Sequence, residues 1–121
     1  MSKLQEMFDQ QKEFMELLLK FRNFHEFPVD LSTKEGQQIL KKYTHECMHE
    51  LFEANQLLKN SKEHRITNIS DFEKEKYLEE LVDALHFFFE IIILSGISCD
   101  DLYESYMKKG KINIERIKSG Y

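Results

Sequence analysis

The chain has 121 residues, of which 41% are hydrophobic and 32% charged, and its formal net charge is −5 at pH 7. This length predicts a single domain over residues 1–121, because it can bury one sizeable core but not two. The negative balance gives no overall basic footprint, so we expect no nucleic-acid polymer as a partner, although local basic clusters could hold a small anion. Four glycines and one proline are few chain breakers, and their scarcity favours long helices.

The cysteine content and the termini bear on the compartment. Cys47 and Cys99 are the two cysteines, and neither belongs to a CxxC pair or a zinc-type cluster. The N-terminal residues are polar and lack a secretory pattern, and no stretch reaches eighteen uninterrupted apolar residues. We therefore expect a cytoplasmic protein without a membrane partner, either cellular or viral in a host cytoplasm.

The first two helices are predicted from apolar spacing and capping signals. Residues 3–22 repeat apolar side chains at steps of three, four and six, which predicts a helix that ends before Pro28. Ser32 followed by Glu35 has the spacing of a capping box and predicts a second helix over about residues 33–59.

The third helix follows a polar connection. Residues 60–70 show no sustained period and contain turn formers, so we expect a loop there. Ser70 and Glu73 make another capping box, which predicts a helix running to about Leu94.

The last part of the chain is predicted to hold one longer and one shorter helix. Ser98 can cap a helix over about residues 99–109, and Gly110 then interrupts the pattern before a short helix at residues 111–118. Strand-like alternation is missing throughout. The expected fold is therefore all-α, an antiparallel four-helix bundle with a short C-terminal helix.

The third helix mixes acidic side chains with a very apolar sequence. At 100° per residue, its polar side chains fall within an arc of roughly 120°, while the other face is apolar. These are Glu79, Glu80, Asp83, His86 and Glu90. One interpretation is the solvent edge of an amphipathic helix, and the other is a functional acidic face.

The second helix carries a matching set of acids. Glu46, Glu50 and Glu53 lie at steps of four and three and project from one side. Antiparallel packing would bring Glu50 and Glu53 opposite Glu80 and Asp83. Four carboxylates at that density repel one another unless cations lie between them. Oxygen ligands select hard ions, so the pattern predicts a Mg²⁺ site, with Mn²⁺ as a possible substitute.

Two other interpretations remain open at this point. His45, His49 and His86 lie near the acids, and His86 follows Asp83 by three residues, which is close to the Glu-x-x-His pattern of a di-iron bundle. The acids could also be the hydrated face of a catalytically silent helical binding or regulatory protein.

A basic segment closes the otherwise acidic chain. Lys109, Asn113 and Arg116 lie at steps of four and three, so on a helix they would share a face suited to phosphate oxygens. A solvated basic tail is the alternative. An acidic groove together with a basic face is suited to a metal-bound polyphosphate.

Four sequence blocks resemble a known superfamily. They are E-x-x-E at 50–53, E-x-x-D at 80–83, ELVDALHFF at 80–88 and Y-x-x-K-x-x-x-N-x-x-R-x-x-x-G-Y at 106–121. The chain resembles the all-α nucleoside triphosphate pyrophosphohydrolases, which include MazG-like proteins and dimeric dUTPases. It is most similar to the branch of dimeric dUTPases and phage dCTP/dUTP pyrophosphatases.

The resemblance implies an activity and roles for the acids. It implies a helical homodimer that hydrolyses a (d)NTP to the monophosphate and pyrophosphate with Mg²⁺. Glu50, Glu53, Glu80 and Asp83 would be the metal ligands. Glu50 and Glu53 would also belong to the catalytic residues, and either Glu46 or Glu53 would take the proton of the attacking water.

The resemblance also implies binding residues for the substrate. Lys109, Asn113 and Arg116 would hold the phosphates, and Lys62 in Lys62-x-His64 is the nearest counterpart of a Lys-x-Trp phosphate pattern. Gln11 would bind the base. The expected substrates are dUTP or dCTP, and a house-cleaning hydrolase of another noncanonical or purine nucleotide is the alternative.

The remaining acids and aromatics of the third helix carry two further expectations. Glu80 and Asp83 are expected to face metal, whereas Glu79 and Glu90 are expected to meet solvent or a partner. The apolar runs at 87–89 and 91–93 are too extensive for one small bundle, so part of this surface is expected to form a dimer interface.

Overall fold

The computed structural model describes residues 2–120 and confirms the all-α fold. Within this range the helices are α1 (Lys3–Arg22), α2 (Lys34–Asn55), α3 (Asp71–Leu94) and α4 (Cys99–Lys118), and no strand is present. A short 3₁₀ turn, Lys59–Ser61, follows α2. The predicted bounds of the first and third helices are confirmed.

Hydroxyl side chains begin the helices, but one predicted cap is wrong. At α3 the capping box of Ser70 and Glu73 is formed as predicted. At α2 the predicted box of Ser32 and Glu35 is absent, because Ser32 bonds the side chain of Asp30 instead. Thr33 is the N-cap, and its hydroxyl accepts a hydrogen bond from the Gly36 amide at 3.0 Å.

Gly36 stands in the first turn of α2 because no side chain fits there. A Cβ at this position would collide with the carbonyl oxygen of Asp30 and approach the Thr33 hydroxyl within 2.9 Å. The residue is buried. The missing side chain therefore allows the preceding loop to pass close to the helix.

The second helix ends four residues earlier than predicted. After Asn55 the amides of Leu57 and Leu58 bond carbonyls only three residues back, which tightens the chain out of the α-helix. The loop that follows is closed by Asn60, whose side chain donates to the Thr67 carbonyl and accepts from the Thr67 amide.

The predicted break at Gly110 is wrong. The fourth helix continues through Gly110 to Lys118, so the separate short helix at 111–118 does not exist. One glycine inside a helix costs only about 1 kcal/mol relative to alanine, which a long helix with good flanking residues tolerates.

Helices α2 and α3 form an antiparallel pair, as predicted. Tyr43 stacks on Phe87 with ring centroids 6.4 Å apart, and one turn further along α2 the Cys47 thiol donates to the Ala84 carbonyl. Each step forward on α2 thus corresponds to a step back on α3. Continuing this register brings Glu50 opposite Glu80.

The core lies where α1 crosses α3 and the start of α4. Phe8 and Met15 from α1 pack with Ile93, Leu94 and Cys99. The loop between α1 and α2 covers one end of this core, because the Val29 amide donates to the Leu94 carbonyl at 2.8 Å. Helix α1 is therefore held along α3, beside the acidic residues.

Helix α4 departs from the predicted four-helix arrangement. It is bent by 109° relative to α3, and beyond Leu102 almost all of its side chains are exposed. Its N-terminal end contributes Cys99 and Leu102 to the core. The packed bundle therefore consists mainly of α1, α2 and α3.

Among the described residues no single helix is long and apolar enough to cross a membrane. Only α3 and α4 taken together have that length and apolar composition, and they are bent by 109° where they join.

Candidate metal and nucleotide site

Three carboxylates from α2 and α3 meet at one point. Glu50, Glu80 and Asp83 each place one oxygen so that the three atoms lie within 4.8 Å of one another. The antiparallel register of the two helices brings them together, and the three-residue step between Glu80 and Asp83 keeps both on one face. Three of the four predicted metal ligands therefore form a cluster.

Glu80 has one paired and one unpaired oxygen. Its Oε1 lies 2.9 Å from Nζ of Lys76, one turn earlier on α3. Its Oε2 is buried and has no hydrogen-bond partner among the described residues. An orphaned carboxylate oxygen is energetically costly, and a cation bound between Glu80, Glu50 and Asp83 would remove that cost.

The cluster has an excess of negative charge, which shifts the pKa values of its carboxyl groups. Desolvation, together with the neighbouring carboxylates of Glu80, Glu53 and Asp83, raises the pKa of Glu50 to about 7. The pKa of Glu80 is lowered, chiefly because Lys76 donates to it. Without a metal, Glu50 therefore holds its proton up to about pH 7, and a bound cation would displace that proton.

The other two acids of α2 lie on either side of Glu50. The Oε1 of Glu53 is 2.9 Å from Nε2 of His49, and its carboxylate also contributes to the lowered pKa of Glu80. Glu53 is thus next to the cluster although it is not among its three converging ligands. Glu46 is half-buried one turn before Glu50, and its charge reaches Glu90.

A cleft of about 420 Å³ opens beside the carboxylates. Glu50 and Asp83 lie at the metal end of this cleft, which runs between α1 and α3. Its other lining residues are Gln10, Gln11, Phe14, His86, Phe87 and Glu90. Gln11, the predicted base-binding residue, is therefore buried in the same cleft as two predicted metal ligands.

Glu90 was expected to meet solvent or a partner, and for Glu90 that expectation is wrong. Only 6% of the residue is exposed, and it lines the cleft. Desolvation, reinforced by the charge of Glu46, raises its pKa to about 7, although Lys42 opposes the rise. Glu79, in contrast, is exposed as predicted.

The predicted phosphate-binding residues are not at the cleft. Lys109, Asn113 and Arg116 are exposed on α4 beyond its contact with the core, and none of them lines the cleft. Lys62 is exposed in the loop after the 3₁₀ turn. Tyr121, the last residue of the terminal motif, lies outside the described residues.

The histidines do not support a di-iron site. Within the described part of the chain, the convergent group contains carboxylates only. His49 pairs with Glu53, and the exposed His86 lines the cleft. Hard oxygen donors without nitrogen ligands suit Mg²⁺ or Mn²⁺ better than iron.

Comparison with known proteins agrees with this geometry. A family model described as dUTPase matches residues 37–121, which include α3, α4 and nearly all of α2. The chain therefore belongs to this all-α dUTPase family. Membership supports nucleotide hydrolysis of the dUTP diphosphatase type in general. Searches of curated proteins and of solved structures gave no match.

Proposed function

We propose that this protein hydrolyses a deoxynucleoside triphosphate, dUTP or dCTP, to the monophosphate and pyrophosphate with Mg²⁺. The observation that carries the proposal is the convergence of Glu50, Glu80 and Asp83 within 4.8 Å at the end of a cleft that also holds Gln11. A candidate metal site and a base-sized cleft are thus adjacent.

The carboxylates have distinct roles in this proposal. Glu50, Glu80 and Asp83 hold the ion, and Glu53 completes the set from its position beside Glu80. When bound there, Mg²⁺, or Mn²⁺ in its place, would supply neutralisation of the phosphate charge and would lower the pKa of an attacking water. Lys76 keeps Glu80 ionised and ready to bind, since it lies 2.9 Å away.

The proton of the attacking water needs an acceptor near the metal. Glu46 and Glu53 are the two candidates, each within one turn of Glu50. Glu53 is paired with His49 at 2.9 Å, which could pass a proton on to solvent because His49 is exposed. Comparing Glu46→Gln with Glu53→Gln would separate them, because removal of the base lowers kcat more than it raises KM.

The basic face of α4 is assigned to the phosphates, together with Lys62. Lys109, Asn113 and Arg116 are exposed on a helix that diverges from the bundle. A second copy of the chain could therefore bring them to the cleft. Lys109→Ala should raise KM for the triphosphate, whereas the neighbouring exposed Lys108→Ala serves as the control.

A homodimer is part of the proposal because α2 and α3 leave large apolar side chains uncovered. Phe52 on α2 is 63% exposed and Leu78 on α3 is 61% exposed. Exposed apolar surface of this kind commonly marks association. Sedimentation of the wild type and Leu78→Lys tests it: the proposal expects a dimer that the substitution weakens, and a monomeric wild type contradicts it.

The setting is proposed to be the cytoplasm, with residues 1–121 acting as one domain. Cys47 and Cys99 are both free thiols, which suits a reducing compartment. Imaging a tagged protein in its host tests the compartment. A single cooperative unfolding transition by two probes would support one domain, and separate transitions would contradict it.

Pyrophosphate release is the experiment that tests the activity. A panel of dNTPs, NTPs and dUTP is supplied with Mg²⁺ or EDTA to the wild type, Asp83→Asn and the exposed control Asp101→Asn. Release that requires Mg²⁺ and is lost only in Asp83→Asn supports the proposal. Metal-independent release, or no release from any nucleotide, refutes it and favours a non-catalytic binding protein.

A further inference from the structure

One buried acid in the cleft has no partner within the described chain. Glu90 is more than nine-tenths buried, yet among residues 2–120 no hydrogen bond or ion pair engages its carboxyl group. Its oxygens are not sealed inside the protein, because the residue lines the open cleft. A carboxyl group removed from bulk water gains from any ligand that donates a hydrogen bond to it.

The position of Glu90 along α3 separates it from the metal end. Glu90 lies seven residues after Asp83, which is about 10 Å along the helix axis at 1.5 Å per residue. That distance suits a sugar and a base that extend away from phosphates held near Asp83. Phe14 and Phe87 supply aromatic surface along this path. Glu90 is thus at the end where a base would lie.

Resting on the proposed hydrolase function, we propose that Glu90 determines base specificity by accepting a hydrogen bond from the exocyclic amino group of cytosine. A carboxyl group is the natural acceptor for the N4 amino group of this base. Gln11 shares the cleft, and its amide can donate to or accept from the remaining polar atoms of the ring.

Uracil fits the same carboxyl group less well. Uracil presents a carbonyl oxygen where cytosine has its amino group, so above about pH 7, where Glu90 is ionised, two acceptors would face each other in the cleft. Such a mismatch leaves Glu90 unpaired and commonly costs about tenfold or more in binding. The structure therefore favours dCTP over dUTP within the proposed substrate class.

The test compares base preference in the wild type and in Glu90→Gln at about pH 8, where the Glu90 carboxyl group is ionised. An amide of the same shape can donate to the uracil carbonyl as well as accept from the cytosine amino group. The variant should lower the ratio of kcat/KM for dCTP to that for dUTP by about tenfold, mainly through better use of dUTP. Glu75→Gln, an exposed site on the same helix, should leave the ratio unchanged.

Binding of dCMP and dUMP without metal provides a readout besides activity. Calorimetry should find tighter binding of dCMP to the wild type and a smaller difference in Glu90→Gln. If no nucleotide is hydrolysed, the proposed function fails, but these titrations still decide the role of Glu90. A wild type that prefers uracil, binds neither monophosphate, or keeps its base preference in Glu90→Gln overturns the inference.

Discussion

Replacing Glu90 by glutamine should stabilise the protein at high pH but not at low pH. The pKa of Glu90 rises from 4.5 to about 7 through burial, and one pKa unit corresponds to about 1.4 kcal/mol. Ionising the group therefore costs the folded state up to about 3 kcal/mol. Because the cleft admits water, we expect about 1–3 kcal/mol.

The sign follows from proton binding. Between pH 4.5 and about 7 the folded protein holds the Glu90 proton and the unfolded chain has released it, so stability falls as pH rises. The loss is complete above about pH 7. Glu90→Gln does not titrate, so it escapes this loss, while the titration of Glu50 is common to both proteins and cancels in the comparison.

Urea unfolding at about pH 5 and about pH 8, without added metal, measures the effect. The free energy of unfolding of Glu90→Gln relative to the wild type should rise by about 1–3 kcal/mol between the two conditions. Glu75→Gln should show no such change, because its carboxyl group is exposed. A difference that does not depend on pH would refute the assignment of Glu90 as a desolvated acid.

Three further predictions concern the metal and the backbone. Mg²⁺ should raise the melting temperature of the wild type but not of Asp83→Asn, since the ion relieves repulsion in the cluster; equal shifts in a thermal scan would contradict this. Gly36→Ala should cost about 1–3 kcal/mol in chemical unfolding through its clash with Asp30, whereas Gly110→Ala, with open space around it, should stabilise by about 0.5–1 kcal/mol; similar effects at both sites would be inconsistent with this reasoning. Ser70→Ala should cost about 1 kcal/mol by the same measurement, because it removes the capping box, and no loss would mean that the cap contributes nothing.

Capping residues and apolar spacing were sufficient to predict most helix bounds. They were not sufficient where a bound depends on contacts with residues outside the helix. The capping box at Ser70 and the spacing of residues 3–22 are local, and both predictions are confirmed. Ser32 and Thr33 are both good caps, and only the path of the loop through Asp30 selects Thr33. Gly110 is a weak breaker that the rest of α4 outweighs.

The candidate site was predictable where helical spacing alone determines it. The antiparallel packing of α2 and α3 and the three-residue step from Glu80 to Asp83 are enough to predict that Glu50 meets these two residues. The three carboxylates converge in the structure. Glu90 lies on the same face of α3 as Asp83, but the sequence does not indicate how far α1 covers that face. Helix α1 packs against α3 through Phe8 and Phe89. Gln11 and Phe14 of α1 line the cleft together with the buried Glu90.

The most direct test of the central claim is phosphorus NMR of the products formed from dCTP and dUTP with Mg²⁺. The wild type is expected to give the nucleoside monophosphate and pyrophosphate, and Asp83→Asn is expected to leave both triphosphates intact. Formation of the diphosphate and inorganic phosphate, or unchanged triphosphates with the wild type, would contradict the assignment of Glu50, Glu80 and Asp83 to a pyrophosphohydrolase site.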